Sequence, residues 1–251
     1  MQAVLYISHG SRSQEGVQEA IKFIDQCRKK VNLKIQEICF LELVSPSIAE
    51  GISRCVKRGA THIAVVPILL LTAVHAKKDI PVALEKAKKI YPQIEFSYGS
   101  PLGVHPRLLE CLYDQIEQER EEGLRDSTIL LVGRGSSDPA VKSDLTEIAS
   151  QFEQMYDLPN VHTCFLYGAS PKFDDALLKL IEGEKKQIFI LPYLFFSGLL
   201  MNGIKQKIAE ADNDSKQLIL CKTLGHHPVV PNILSERIDE LLQYKEKQWV
   251  M

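Results

Sequence analysis

The sequence has little of what would mark several large classes of protein. It has no block of like charge: 30 lysines and arginines stand against 32 aspartates and glutamates, mixed along the chain, for a formal net charge of -2. That balance argues against a nucleic-acid-binding arm or a polybasic membrane segment, while leaving room for a local basic pocket. Its six cysteines, at 27, 39, 55, 111, 164 and 221, form no C-x-x-C pair and no metal-knuckle spacing, and read as buried small hydrophobes in a reducing cytosol. The longest apolar stretch, AVVPILLLTAV from Ala64 to Val74, falls far short of the ~20 residues a membrane helix needs. MQAVLYISHGSR runs straight into a β-like segment without a basic start, so no signal peptide or anchor is expected and the expected location is cytoplasmic.

What is present is an ordinary mixture, 45% hydrophobic over 251 residues, enough for one large domain or two of modest size. Apolar runs such as AVLYI, IQEICFL and HIAVVP alternate with helical patterns, the signature of repeated β-α units and an α/β fold with parallel sheets. Val17, Ala20, Ile21, Ile24 and Cys27 recur at helical spacing, leaving Lys22, Asp25, Lys29 and Lys30 outside. A second helix is expected from about Pro46 to Lys57, stopped at Gly59.

The chain also resembles itself. ISHGSR at Ile7 and VGRGSS at Val132 are 125 residues apart (132 − 7), and ELVSPSIAEGI at Glu42 meets YGASPKFDDAL at Tyr167 with the same offset. VVPILLLTAVHAKKDI at Val65 and ILPYLFFSGLLMNGI at Ile190 repeat it, and Gly103 falls on Gly225 at an offset of 122 (225 − 103). Each half is therefore expected to be a unit of about four strands and four helices, with a boundary near Gly123 in EQEREEGLRDS: domains 1–122 and 123–251. Asp138 before Pro139 is expected to cap the first helix of the second half.

Duplication supplies an internal control, because residues kept in both copies serve the shared fold, whereas residues kept in one are candidates for chemistry. His105 and His227 match and are expected at helix entries; His62 and His162 begin strands and are expected to be structural. His9, Glu42 and His75 differ: the second half places Arg134, Tyr167 and Leu200 there. All three follow strands, and in a doubly wound sheet ligands bind outside the carboxyl ends of the strands. Two imidazoles and a carboxylate suit a borderline divalent metal such as ferrous iron or cobalt, leave coordination positions open, and can move protons near neutral pH. The alternative is that His9 caps the following helix and His75 is a surface loop residue. ILLLTAV before His75 is almost wholly apolar and suits either a flat hydrophobic ligand or an extension of the core. Beyond it Asp79 is a helix N-cap candidate beside Lys77 and Lys78, a place that attracts anionic groups. GRGSSD lacks the spacing of a P-loop, and Arg134 is expected either to hold a carboxylate of the ligand or to stiffen the domain interface.

SHGSR at 8–12, FLELVSPSI at 40–48 and LLLTAVHAKKDIP at 69–81, in order and at matching spacing, closely resemble the class II chelatases, which insert iron or cobalt into sirohydrochlorin. The similarity spans the whole chain, duplication included. It implies two flavodoxin-like domains facing a cleft, the first carrying the metal site and the second, without the ligands, forming the other wall. It implies insertion of a divalent metal into the tetrapyrrole with release of two protons, His9 and His75 binding the metal and His9 also accepting a proton, Glu42 assisting. Ser45 and the stretch Leu70, Leu71, Thr72, Ala73 and Val74 match positions that touch the macrocycle, and the eight carboxylates of sirohydrochlorin call for rim donors such as Arg12, Lys77 or Arg134. The metal is then a substrate, Fe2+ with Co2+ or Ni2+ as in vitro substitutes, no cofactor is tightly bound, and a monomer is the simpler state. Long cobalt-inserting relatives tend to carry a histidine-rich tract and a cysteine motif near the C-terminus; this chain ends in YKEKQWVM, which favours iron and sirohaem over cobalt and cobalamin. A tetrapyrrole or metal carrier without turnover is the competing reading.

Overall fold

The computed structural model describes residues 1–121, 123–158, 160–211 and 216–243, so Glu122 of the expected linker and the terminal YKEKQWVM lie outside the described residues. The first repeat runs β1 (Gln2–Ser8), α1 (Gln14–Arg28), β2 (Ile35–Phe40), α2 (Ile48–Lys57), β3 (His62–Ile68), α3 (Ile80–Ile90), β4 (Glu95–Tyr98) and α4 (Pro106–Glu119). The second runs β5 (Ser127–Gly133), α5 (Pro139–Tyr156), β6 (Val161–Phe165), α6 (Phe173–Ile181), β7 (Gln187–Tyr193), α7 (Leu199–Ala211), β8 (Gln217–Leu220) and α8 (Val230–Gln243). The sheets are wholly parallel, with orders β2-β1-β3-β4 and β6-β5-β7-β8. Both are the doubly wound order expected from the alternating pattern. The 125-residue offset carries β1 onto β5 and β3 onto β7 end for end.

Central strands β1 and β3 are buried from Ala3 to Ser8 and from Ile63 to Ile68, as continuous apolar runs in covered parallel strands must be. Their covering helices begin at side-chain caps. Ser13 accepts a hydrogen bond from the Gly16 amide at the start of α1, and Ser47 and Glu50 form a reciprocal capping box at α2. Asp138 caps α5 through the Ala140 amide, as expected. On α1 the inner face includes Phe23, which the spacing of smaller apolar residues did not single out, whereas Val17 and Ile21 are only half-buried. His105 accepts from the Arg107 amide and caps α4. His62 stays structural, its half-buried ring within 3.1 Å of Ser97 Oγ and its pKa lowered by burial.

Division by packing differs from division by repeat, which falls between α4 and β5. By packing, one unit comprises Met1–Gly103 with the chain from Pro228, and the other is Val104–His227. The last helix of each repeat thus covers the other repeat's sheet: α8 packs on β3 and α1, and α4 packs on β7 and α5. The close approach of α8 requires Gly99, where a Cβ would lie 2.7 Å from Leu241 Cδ1. Arg237 on α8 also donates to the carbonyls of Pro101 at 2.6 Å and Leu102 at 2.7 Å. An amphipathic pattern states that a helix has an apolar face but not which sheet covers it.

In the second unit His227 differs from its match His105: its Nδ1 lies 3.1 Å from Cys111 Sγ and its Nε2 is 3.2 Å from Asp114. The order Cys-His-Asp resembles a nucleophilic triad, but Cys111 is fully buried and burial pushes its thiol up to about 12, so the group is a brace. All six cysteines are buried and free. Burial likewise raises Cys27, Cys55, Cys164 and Cys221 to about 12. Among the described residues no helix is long and apolar enough to cross a membrane.

A disulfide-exchange reagent at pH 8 should therefore label none of the six thiols in the native protein and all six after denaturation. Because the folded chain retains protons that the unfolded chain loses above about pH 8.5, these thiols should make stability fall as pH rises from there toward 12. A thiol that reacts promptly in the native state would contradict this burial.

Candidate metal centre

The strand order reverses between β1 and β3, and this opens the crevice in which a doubly wound sheet binds ligands. Register sets its floor, since Ser8 pairs with Phe40 on one side and Ile68 on the other, so three strands finish level. His9 is the first residue past that row, and Glu42 stands two residues beyond β2. Two backbone hydrogen bonds continue the ladder past the strands, from Leu41 N to Ser8 O at 2.9 Å and from Glu42 N to His9 O at 3.2 Å. Gly10, with φ +93, lets the chain pass, since a Cβ there would lie 2.0 Å from Glu42 O. From β3 the chain runs through the stretch 69–74, anchored by Leu102 N to Leu69 O and Gly103 N to Leu70 O, into a π-helical turn at His75–Asp79 that continues as α3.

These elements bring His9, Glu42 and His75 together, with one ligand atom from each lying within 4.8 Å of the others. The imidazoles meet edge to face, centroids 4.8 Å apart at 88°. His9 Nδ1 is 3.3 Å from Gly10 O and 3.7 Å from Glu42 Oε1. Oxygen acceptors at Nδ1 place the proton there and leave the lone pair on Nε2. His75 is set the same way, its Nδ1 held at 2.7 Å by Asp79 Oδ2. A carboxylate behind the imidazole fixes tautomer and ring orientation and makes the ligand nitrogen more basic. The trio is half-open, with side-chain exposures of 25% for His9, 48% for Glu42 and 28% for His75, so a ligand can approach.

Two expectations change here. Asp79 is no N-cap: it lies inside the helical run, makes no side-chain cap bond, and serves His75. His9 does not cap α1 either, since Ser13 does. The His-x-x-x-Asp spacing on one helical face was the signal that the cap reading passed over. The second copy lacks both members, with Leu200 and Ile204 at the matching positions.

Of the residues matched to macrocycle contacts, Ser45 and Val74 are exposed, and Leu70, Leu71, Thr72 and Ala73 are half-buried rather than sunk in the core. Arg12 and Lys77 are exposed, and Arg134 is exposed at the place in the second unit that His9 holds in the first. The second unit repeats the loop cage, with Tyr167 N on Arg134 O and Gly135 against Tyr167 O, without the ligands.

Fold and site together define a doubly wound α/β protein in which two histidines and a carboxylate lie close enough to hold a metal ion, a donor set of the kind that suits ferrous iron or cobalt. The family model of CbiX matches residues 3–119 and 128–241, and the chain belongs to the CbiX family. It is 47% identical over 249 residues to sirohydrochlorin ferrochelatase of Priestia megaterium, covering 99% of this chain and 94% of that protein. To sirohydrochlorin cobaltochelatase of the same organism it is 34% identical over 253 residues, covering 98% of this chain and 82% of the relative. It superposes on the solved structure of SirB from Bacillus subtilis with Fe3+ at a TM-score of 0.86 and 39% identity, over 96% of each chain.

Replacing Asp79 by alanine should weaken Co2+ binding on the order of 10- to 100-fold in a calorimetric titration, the usual cost of removing a carboxylate behind a ligating histidine. An affinity within twofold of the wild type would show that the pair is incidental.

Proposed function

We propose that the chain inserts ferrous iron into sirohydrochlorin, giving sirohaem and two protons. The observation that carries the reading is the convergence of His9, Glu42 and His75 at the reversal of strand order, beside a half-exposed apolar stretch, in a chain strongly similar to a ferrochelatase. His9 and His75 bind the metal through Nε2 and Glu42 through its carboxylate, leaving positions for pyrrole nitrogens. Ser45 and Leu70 to Val74 meet the ring, and Arg12 and Lys77 are the candidate partners of its carboxylates. Metal is consumed as a substrate, no resident cofactor is invoked, and the enzyme is a cytoplasmic monomer.

The charge arithmetic suits this chemistry. Two neutral imidazoles, one carboxylate and one divalent ion carry a net +1. When the metal passes to the ring and the two pyrrole protons pass to groups the metal has left, the site again carries +1, so neither direction of exchange strands an uncompensated charge. Groups that release a metal become bases at that moment, which explains why ligand and proton acceptor are the same side chains.

Iron is favoured over cobalt by the higher identity to the ferrochelatase of an organism that has both enzymes, and by the near full-length match to it. A carrier would keep the same side chains as metal ligands, so only turnover distinguishes it from an enzyme. Anaerobic conversion of sirohydrochlorin with Fe2+, followed by absorbance, separates the two: the wild type should turn over, and His9→Ala and His75→Ala should each fall by at least about 100-fold, the scale of losing a catalytic base or metal ligand. Binding of sirohydrochlorin without metal insertion above the uncatalysed rate would establish the carrier instead.

A further inference from the structure

Between Glu42 and Ser45 the backbone makes a three-residue turn, with Val44 N donating to Glu42 O at 2.8 Å around Leu43 at φ +69. A γ-turn of this hand is rare and strained for a residue with a side chain. The second repeat builds the same turn, Ala169 N to Tyr167 O at 2.7 Å, around Gly168 at φ +64. Glycine is what the backbone calls for, and the fold therefore has no need of a leucine here. The other described non-glycine residues at positive φ are Asp157 and Asn160, types that tolerate it. The turn is also locked in place, since Glu42 N is bound to His9 O, Phe40 N to Pro46 O, and Gly10 packs against the Glu42 carbonyl.

The side chain gains little from packing in return. Leu43 is 55% exposed and does not join the core around its neighbour Leu41. Backbone strain and apolar exposure thus fall on one residue, adjacent in sequence to a member of the metal trio, and only in the repeat that has the trio.

We propose that Leu43 is a substrate-contacting residue, held out by its turn to press on the apolar face of the tetrapyrrole while the pyrrole nitrogens meet the metal. The proposal rests on the function given above. Leu43 directly follows Glu42 of the trio, so a flat ring presented to the metal covers its side chain. Strain in the free enzyme is thereby kept at a place where substrate, rather than the fold, supplies the compensating contact.

The test uses Leu43→Gly, which copies the second repeat, and Leu43→Asn, which tolerates the left-handed region with a polar side chain. Sirohydrochlorin affinity, Co2+ affinity and Tm are measured for both beside the wild type. Both variants should bind sirohydrochlorin roughly five- to tenfold more weakly, the scale of losing a part-exposed leucine contact. Co2+ affinity should stay within twofold, and the glycine variant should melt at the wild-type temperature or above it. Unchanged sirohydrochlorin affinity in both variants overturns the proposal, as does a glycine variant that melts several degrees lower, because the leucine would then be packing. A wild type that fails to bind sirohydrochlorin overturns the proposed function itself, an outcome distinct from a wild type that turns over beside an unaffected Leu43→Gly.

Discussion

The convergence of His9, Glu42 and His75 depends on β1 lying between two parallel neighbours that all end in one row. Ser8 is held level with Phe40 and Ile68, and from that row each chain has only a few residues in which to place a side chain. A slip of one residue in either register would turn the ladder over and point the wrong residues outward. The hydrogen bonds from Leu41 and Glu42 to Ser8 and His9 carry that order past the strands. His9 and Glu42 are therefore placed by backbone geometry, and the His75 ring by Asp79, before any ligand arrives. Such preorganisation lowers the reorganisation cost of any ligand that these three side chains take up.

The duplication separates scaffold from chemistry within one molecule. Strands, glycine-gated loops and the tight turn recur in the second repeat with matching hydrogen bonds, yet Arg134, Tyr167, Leu200 and Ile204 stand where the first has His9, Glu42, His75 and Asp79. Loss of all four together indicates that they act as a set. Leu43 against Gly168 follows the same division: the second copy has the residue the backbone prefers.

Much of this was legible in the sequence because the repeat offset is visible without coordinates. Parallel strands and the location of His9, Glu42 and His75 beyond them follow from the alternating apolar and helical patterns, and their difference from the second half follows from aligning the chain with itself. The exchange of α4 and α8 was not legible, because amphipathicity identifies a buried face without naming the surface that buries it. Asp79 was misassigned because an aspartate before Ile80-Pro81 satisfies the local rule for a helix start, whereas the helix in fact begins earlier, at His75. Leu43 was not singled out, since no propensity rule expects a leucine at positive φ, and its alignment with Gly168 was the one signal the sequence carried. These misses concern choices made by tertiary packing or by the site, where local preference is overruled.

The most direct test of the account is a crystal of the protein soaked with Co2+ and measured at the cobalt absorption edge. One anomalous peak per chain should lie among His9 Nε2, His75 Nε2 and a Glu42 oxygen, with Asp79 still on His75 Nδ1. A peak elsewhere, or a metal held through either Nδ1, would contradict the claim that backbone register and a carboxylate behind the ring have already arranged this site.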